Sequence, residues 1–366
     1  MPERVVKVAI GKTLSDWDQR FAEALEARKK NGYPLDYRIM DLDQSDWREA
    51  LEPYDLVVWK ADAMGPRAAA QFAAKIHFLE TYARKIVAPS FKTIWHFENK
   101  IAQSYLLKHC RVPVPSTFVS FDYHDAKARL ENQKFPIVLK AAHGAASQKV
   151  RLVKTRGEMA RVLENVFCQQ LYREAKTRCG SPFMTALRSL GKYWLWRKAW
   201  RTLVDEEIFD SIYWQDFVPQ NPADLRITVI GDRHAFGFWR KNRPNDFRAS
   251  GSGRLDYETP IPENPLRFCL SLNQRLGFDS MAYDIIFDEG RFLVTEISYG
   301  YLDTAIHNAK GHWELGDGGE IRFLEGHCWP EALWVDWALR RAERELDGPR
   351  PSQLPGANPP SCGGHT

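Results

Sequence analysis

The sequence predicts an α/β protein in which a small parallel sheet precedes antiparallel strands, and three observations carry that expectation. Residues 5–88 alternate short apolar runs with amphipathic helical stretches, the pattern of βα units in a parallel sheet. Residues 223–241 (ADLRITVIGDRHAFGFWRK) read as two strands joined at Gly231-Asp232. Residues 281–300 (MAYDIIFDEGRFLVTEISYG) read as a β-hairpin, with Ile285-Ile286-Phe287 and Phe292-Leu293-Val294 flanking the turn Asp288-Glu289-Gly290. Paired residues of a hairpin have numbers summing to nearly a constant. Asp284 and Glu296 therefore fall almost opposite each other, and Ser298, two residues on, shares their face. Opposed carboxylates repel unless something positive lies between them. A divalent cation is the natural candidate, since hard oxygen ligands suit Mg²⁺ bound with phosphates; the alternative is an exposed hairpin with scattered acids.

Taken in order, residues 5–10 (VVKVAI) predict a first strand ending at Gly11, followed by a helix through Trp17, Phe21 and Leu25. Strands are expected at Tyr37-Arg38-Ile39-Met40, Asp55-Leu56-Val57-Val58-Trp59 and Lys85-Ile86-Val87-Ala88, with helices around Trp47 and over 67–82. The GKTLSDW stretch at residues 11–17 lacks the upstream glycine of a phosphate loop. A helix opening at Asn99-Lys100 runs to His109, where RVPVPST interrupts it with two prolines. Strand 117–121, helix 125–132, strand 136–141 and strand 150–153 follow. Lys140 ends an apolar strand directly before Gly144-Ala145-Ala146-Ser147, where small residues let backbone N–H groups approach a phosphate and the lysine supplies charge; the alternative is a plain hairpin with a solvated lysine. Then YWQDFVPQ, DLRITVIGDRHAFGFWRKN and DFRASGSG read as one antiparallel run of strands with a turn at Gly231-Asp232. Its Arg226, Arg240 and Arg248 gather near the hairpin acids. Helix 263–276 leads into the hairpin, and WPEALWVDWALRRAEREL forms a last amphipathic helix.

Composition narrows the function classes. With 366 residues the chain suits two or three subdomains, and 44% apolar with 27% charged residues fits a globular protein. A net charge of only +4 gives no case for nucleic acid. Six widely spaced cysteines show no zinc pattern and read as reduced thiols. No signal-like segment opens the chain, and no run approaches the roughly 18 apolar residues of a membrane span, so a cytoplasmic location is expected. Residues 171–204 stand apart, with eight Lys/Arg against one Glu and with Tyr193, Trp196, Trp200 and Leu203 at helical spacing. That basic aromatic insertion suits peripheral contact with a membrane or an acidic partner, or a helix packing its aromatics inward. The final residues, 347–366, carry five Pro and four Gly and read as a disordered tail.

The ordered set of pieces over roughly 95–300 resembles the ATP-grasp superfamily, and within it the carboxylate–amine ligases of the ribosomal-protein glutamate ligase and bacterial glutathione synthetase branch. The resemblance implies an ATP-grasp domain over 95–346 behind an N-terminal Rossmann-like preATP-grasp domain over 1–94. It implies that Lys100 and Lys140 contact ATP phosphates, that the loop with Gly144 and Ser147 covers them, and that Gln215, Phe217 and Val218 hold adenine. Arg226, Arg240 and Arg248 would face the γ-phosphate and the substrate carboxylate as catalytic residues, and Asp284, Glu296 and Ser298 would hold Mg²⁺, with two ions or Mn²⁺ as variants. Ser147 and Lys149 stand where glycines are usual, and Ser298 and Ser250 where asparagines are usual.

By that resemblance the expected activity is ATP- and Mg²⁺-dependent ligation of a small-molecule carboxylate to an amine through an acyl phosphate. A kinase and an inactive nucleotide-binding module are the alternatives. The run GHWELGDGGEIRFLEGHCWPEALWVDW is similar to ATP-grasp proteins associated with bacterial surface-polysaccharide synthesis, which points to a sugar acid or amino sugar as substrate.

Overall fold

The N-terminal apolar runs form four parallel strands, β1 (Val6–Gly11), β2 (Leu35–Met40), β3 (Leu56–Val58) and β4 (Ile86–Ala88), in the order β2-β1-β3-β4. The computed structural model describes residues 4–62, 65–143, 150–179 and 211–347. Strands β1 and β3 are almost wholly apolar because helices Trp17–Lys30 and Pro66–Thr81 connect them to their neighbours and both sheet faces are covered.

The second sheet holds β5 (Thr117–Ser120), β6 (Ile137–Lys140), β7 (Val150–Val153) and β8 (Ile212–Asp216), ordered β5-β8-β6-β7 and antiparallel throughout. Helices Tyr123–Glu131, Arg156–Val166 and Cys168–Cys179 accompany it. The sequence reading joined β8 to the next antiparallel run, and the structure corrects this: β8 pairs with β5 and β6 instead. The pairing is non-local and leaves no trace in alternation. Within the basic insertion the described part is the end of helix Cys168–Cys179; its aromatic core, Tyr193 to Leu203, lies outside the described residues, as do Gly144, Ser147 and 348–366.

The large sheet follows the path β13-β12-β9-β10-β14-β15, built from β9 (Ala223–Ile230), β10 (His234–Lys241), β12 (Ser280–Asp288), β13 (Arg291–Ser298), β14 (Gly311–Leu315) and β15 (Ile321–Glu325). A short β11 (Leu255–Asp256) pairs with β10. The hairpin β12–β13 turns on two residues, Glu289 and Gly290, with φ of 49° and 81°, the twist-matched turn for which glycine is suited. Helix Glu263–Leu276 packs on β9, β10 and β12, and ends at Gly277 in the left-handed conformation.

The C-terminal helix Pro330–Asp347 packs on helix Trp17–Lys30 and on β3, β4 and β9. One apolar core therefore runs from the parallel sheet into the large sheet. Asp279, at the entrance to β12, fixes this junction. It accepts from Ser90 N (2.6 Å), Ser90 Oγ (2.5 Å), Thr93 Oγ1 (2.9 Å), Trp337 Nε1 (2.8 Å) and Arg341 Nη1 (3.2 Å). Among the described residues no helix is long and apolar enough to cross a membrane.

Candidate active site

A cleft of about 880 Å³, counting the solvent at its mouth, opens between the second sheet and the large sheet. Val138 and Lys140 of β6, Gln215 and Asp216 of β8, and Phe217 and Val218 just beyond form one wall. Asp224, Arg240, Asp284, Thr295 and Glu296 of the large sheet form the other, with Arg248 and Ser250 from the loop after β10.

The geometry of the site begins at the hairpin. Asp284 and Glu296 are register partners on β12 and β13, and a β-bulge separates them from the regular pairing Ile285–Val294. Thr295 is the extra residue. Its hydroxyl donates to Asp284 O (3.1 Å), and its carbonyl accepts from Lys140 Nζ (3.3 Å). The bulge thus brings the two carboxylates opposite each other and ties β6 to the hairpin.

The positive charge that their opposition demands comes from the protein itself. Arg226, the register partner of Asp284 on β9, reaches it with Nε at 2.7 Å and Nη2 at 2.9 Å. Arg240 Nη2 lies 2.7 Å from Asp284 Oδ2. Lys100 Nζ lies 3.2 Å from Glu296 Oε1. The lysine is delivered by the start of helix Lys100–His109, where the Asn99 side chain caps Ala102 N and Lys100 N donates to Ala142 O at the end of β6. Burial pushes the Asp284 carboxyl up, but the Arg226 and Arg240 guanidiniums outweigh it and hold it below the usual carboxylate range. Burial also lowers Lys140 to about 8, with Glu296 pulling it back up and Lys100 pushing further down.

These oxygens fit a hard divalent cation that arrives with phosphates. Asp284 Oδ1 accepts one N–H and Oδ2 two, so about one of the roughly four acceptor positions of a carboxylate remains. The side chain of Glu296 is 32% exposed and meets Lys100 through one oxygen, so most of the binding capacity is there. No group of three His, Cys, Asp or Glu among the described residues makes a cage on its own. Mg²⁺ commonly completes such a shell with water and phosphate.

The adenine-side residues expected from the sequence also meet. Gln215 is buried and its Nε2 donates to Thr117 Oγ1 (3.2 Å). Phe217 meets Phe247 edge-on at 5.8 Å, giving apolar walls beside Val138 and Ile286. Arg248 binds Asp246 through Nε (2.9 Å) and Nη2 (2.6 Å). Its Nη1 reaches Val150 O (3.3 Å) at the start of β7.

Of the residues expected from sequence, Lys140, Gln215, Phe217, Val218, Arg240, Arg248, Asp284 and Glu296 line the cleft, and Lys100 and Arg226 join it through their acids. Ser298 is not brought in: its hydroxyl is engaged with the backbone of Gly300, donating to O (3.0 Å) and accepting from N (3.1 Å). Sequence reasoning missed Asp224, Thr295 and Asn221, the last of which bonds both N and O of Phe287 and clamps the hairpin beside the hinge. The alternation that found Arg226 places Asp224 on the same face, which was the available signal.

Comparison with known proteins agrees with this architecture. Residues 97–180 match the family described as RimK-like ATP-grasp domain. The RimK domain ATP-grasp protein from Sphaerobacter thermophilus superposes at a TM-score of 0.54 and 14% identity, covering 91% of this chain and 100% of that one. D-alanine–D-alanine ligase from Bacillus anthracis, solved with ATP, superposes at 0.53 and 12% identity over 93% and 99%. The chain has the ATP-grasp fold, and its residues 97–180 are similar to the RimK-like ATP-grasp domain. Among curated proteins, the alpha-aminoadipate–LysW ligase LysX of Saccharolobus solfataricus is 27% identical over 207 residues, 56% of this chain and 62% of that protein. The match therefore spans less than two thirds of that relative.

Proposed function

We propose that this protein is an ATP-dependent carboxylate–amine ligase working through an acyl phosphate. The observation that carries the reading is the convergence, in one cleft, of Lys140, the hinge at Gln215 to Val218 and the Asp284–Glu296 pair with its attached cations. ATP would lie with adenine between the hinge and Phe247 and with its phosphates toward Lys140 and Lys100. Asp284 and Glu296 would hold Mg²⁺, which when bound neutralises charge on the phosphoryl oxygens. Mn²⁺ offers similar preferences for oxygen ligands.

Phosphoryl transfer asks the protein mainly for positioning and charge, and the site is built from such groups. Lys140 and Lys100 draw the phosphates to the sheet end. Arg240, held from two sides, and Arg248 orient a transferring phosphoryl group and a substrate carboxylate, for which the guanidinium fork is suited. The carboxylate oxygen attacks the γ-phosphorus and ADP leaves; the amine then attacks the acyl carbon, and inorganic phosphate leaves as the C–N bond forms. The related ligases named above, LysX and D-alanine–D-alanine ligase, support this class over a kinase. We read the substrates as a small-molecule carboxylate and amine, with sugar acids and amino sugars of surface-glycan synthesis first in a panel, and the protein as cytoplasmic.

The test is a thermal-shift screen with Mg·ATP and panels of carboxylates, since a bound ligand raises apparent stability by mass action. A hit is then incubated with hydroxylamine. A hydroxamate formed with equal amounts of ADP and phosphate is the expected result. A stable phosphorylated product and no hydroxamate would replace ligase with kinase.

A further inference from the structure

Arg226 and Arg240 share one acid, Asp284, and a second acid stands behind Arg240. Asp224 accepts from Arg240 Nε (2.7 Å) and Nη2 (2.6 Å) and is its register partner across β9 and β10. The four side chains make one continuous series, Asp224–Arg240–Asp284–Arg226, each 6–17% exposed, on a single face of the large sheet. Two of its members are acids and two are bases, so the series is neutral as it stands.

That balance changes when the site is loaded. Any cation taken up by Asp284 and Glu296 competes with the guanidiniums for the Asp284 oxygens. Arg240, bound only to Asp284, would then lose its anchor at the moment its charge is needed. With Asp224 present, Nε and Nη2 stay fixed by a bidentate pair. Nη1 has no partner among the described residues, on a side chain that lines the cleft. Burial raises the Asp224 carboxyl above the usual carboxylate range, and Arg240 offsets this only in part, as expected for an acid removed from water to serve one guanidinium.

We propose that Asp224 is the positioning residue for Arg240: it holds the guanidinium toward the terminal phosphate of a bound nucleoside triphosphate while Asp284 turns to the cation. The assignment rests on the nucleotide reading given above. A purely structural acid would weaken all nucleotides alike or lower stability alone, whereas this role discriminates the terminal phosphate.

The test is calorimetric titration of the full chain with Mg·AMP-PNP and with Mg·ADP. Asp224→Asn, which keeps size and removes charge, should bind Mg·AMP-PNP about tenfold more weakly, the loss of one charge-assisted contact, and Mg·ADP within about twofold of the parent. In an Arg240→Gln background the same substitution should add little, because the two residues act as one unit. Equal losses on both nucleotides, unchanged AMP-PNP affinity, or additivity with Arg240→Gln would overturn the assignment. Should Asp224→Asn fail to fold, Asp224→Glu carries the test: its longer carboxylate keeps the charge but displaces the fork, and the same selective loss is expected. A parent protein that binds no AMP-PNP would overturn the nucleotide reading and this assignment together, while a parent that binds beside an unaltered Asp224→Asn removes this assignment alone.

Discussion

At the scale of single residues, Lys140 has the most testable chemistry. Burial holds its ammonium near a pKa of about 8, so a nucleotide-free protein loses this charge as pH rises through that value. The protonated form binds phosphate, so affinity for Mg·ATP should be highest below pH 8 and fall above it, by at most about tenfold per pH unit for one linked proton. Lys140→Arg stays charged and should flatten that dependence. Lys60 is a control: burial lowers it also to about 8, but it lies over the rings of Trp17, Tyr299 and Tyr301, outside the cleft. Titration calorimetry between pH 7 and pH 9.5, values chosen to bracket the shift, checks this. A steep dependence surviving in Lys140→Arg would assign it elsewhere. The sequence made Lys140, Asp284 and Glu296 legible because each ends or faces an apolar strand beside a turn. It hid Thr295, whose role comes from a bulge that only the paired strands create. Asp224 was visible by alternation, yet an acid among arginines reads as an ordinary surface pair until its burial is known.

At the scale of elements, the junction of β12, the C-terminal helix and the segment after β4 depends on Asp279. Burial pushes its carboxyl up, yet Arg341 and the Ser90 donors outweigh that and hold it below its ordinary value near 3.8. A depressed carboxylate contributes stability that is present above the ordinary value and lost as pH falls through the depressed one. The parent should therefore lose stability below about pH 4. Asp279→Asn should cost about 3 kcal/mol at neutral pH, because Arg341, left with the more exposed Glu80 and Glu345, loses its most deeply buried acid partner, and should remove part of the acid dependence. Urea unfolding at neutral pH and at about pH 3, below the ordinary carboxylate value, measures both; a loss under about 0.5 kcal/mol at neutral pH would class Asp279 with ordinary surface substitutions. Element types were widely legible: helix Glu263–Leu276 and the acidic hairpin match their expected spans. The hairpin β14–β15 was not: Trp313 and Leu315 alternate with His312 and Glu314, but both strands are only five residues long and the second leaves Phe323 and Leu324 exposed, so the signal is weak.

At the scale of the molecule, the ATP-grasp architecture explains why residues from 100 to 296 meet. One sheet brings a lysine and a hinge, the other brings acids already paired with arginines, and the cleft lies between them. The order of motifs made this legible, whereas membership of β8 in the smaller sheet depended on pairing over about a hundred residues of chain. The central claim is that the carboxylate itself attacks ATP, and one measurement addresses it directly. A carboxylate identified by the stability screen is labelled with heavy oxygen and incubated with the protein, Mg·ATP and an amine, and the released phosphate is analysed by mass. Transfer of one labelled oxygen into phosphate for each amide formed is the predicted result. Amide without label in phosphate, or label retained in a phosphorylated product that releases no phosphate, would contradict an acyl-phosphate ligase.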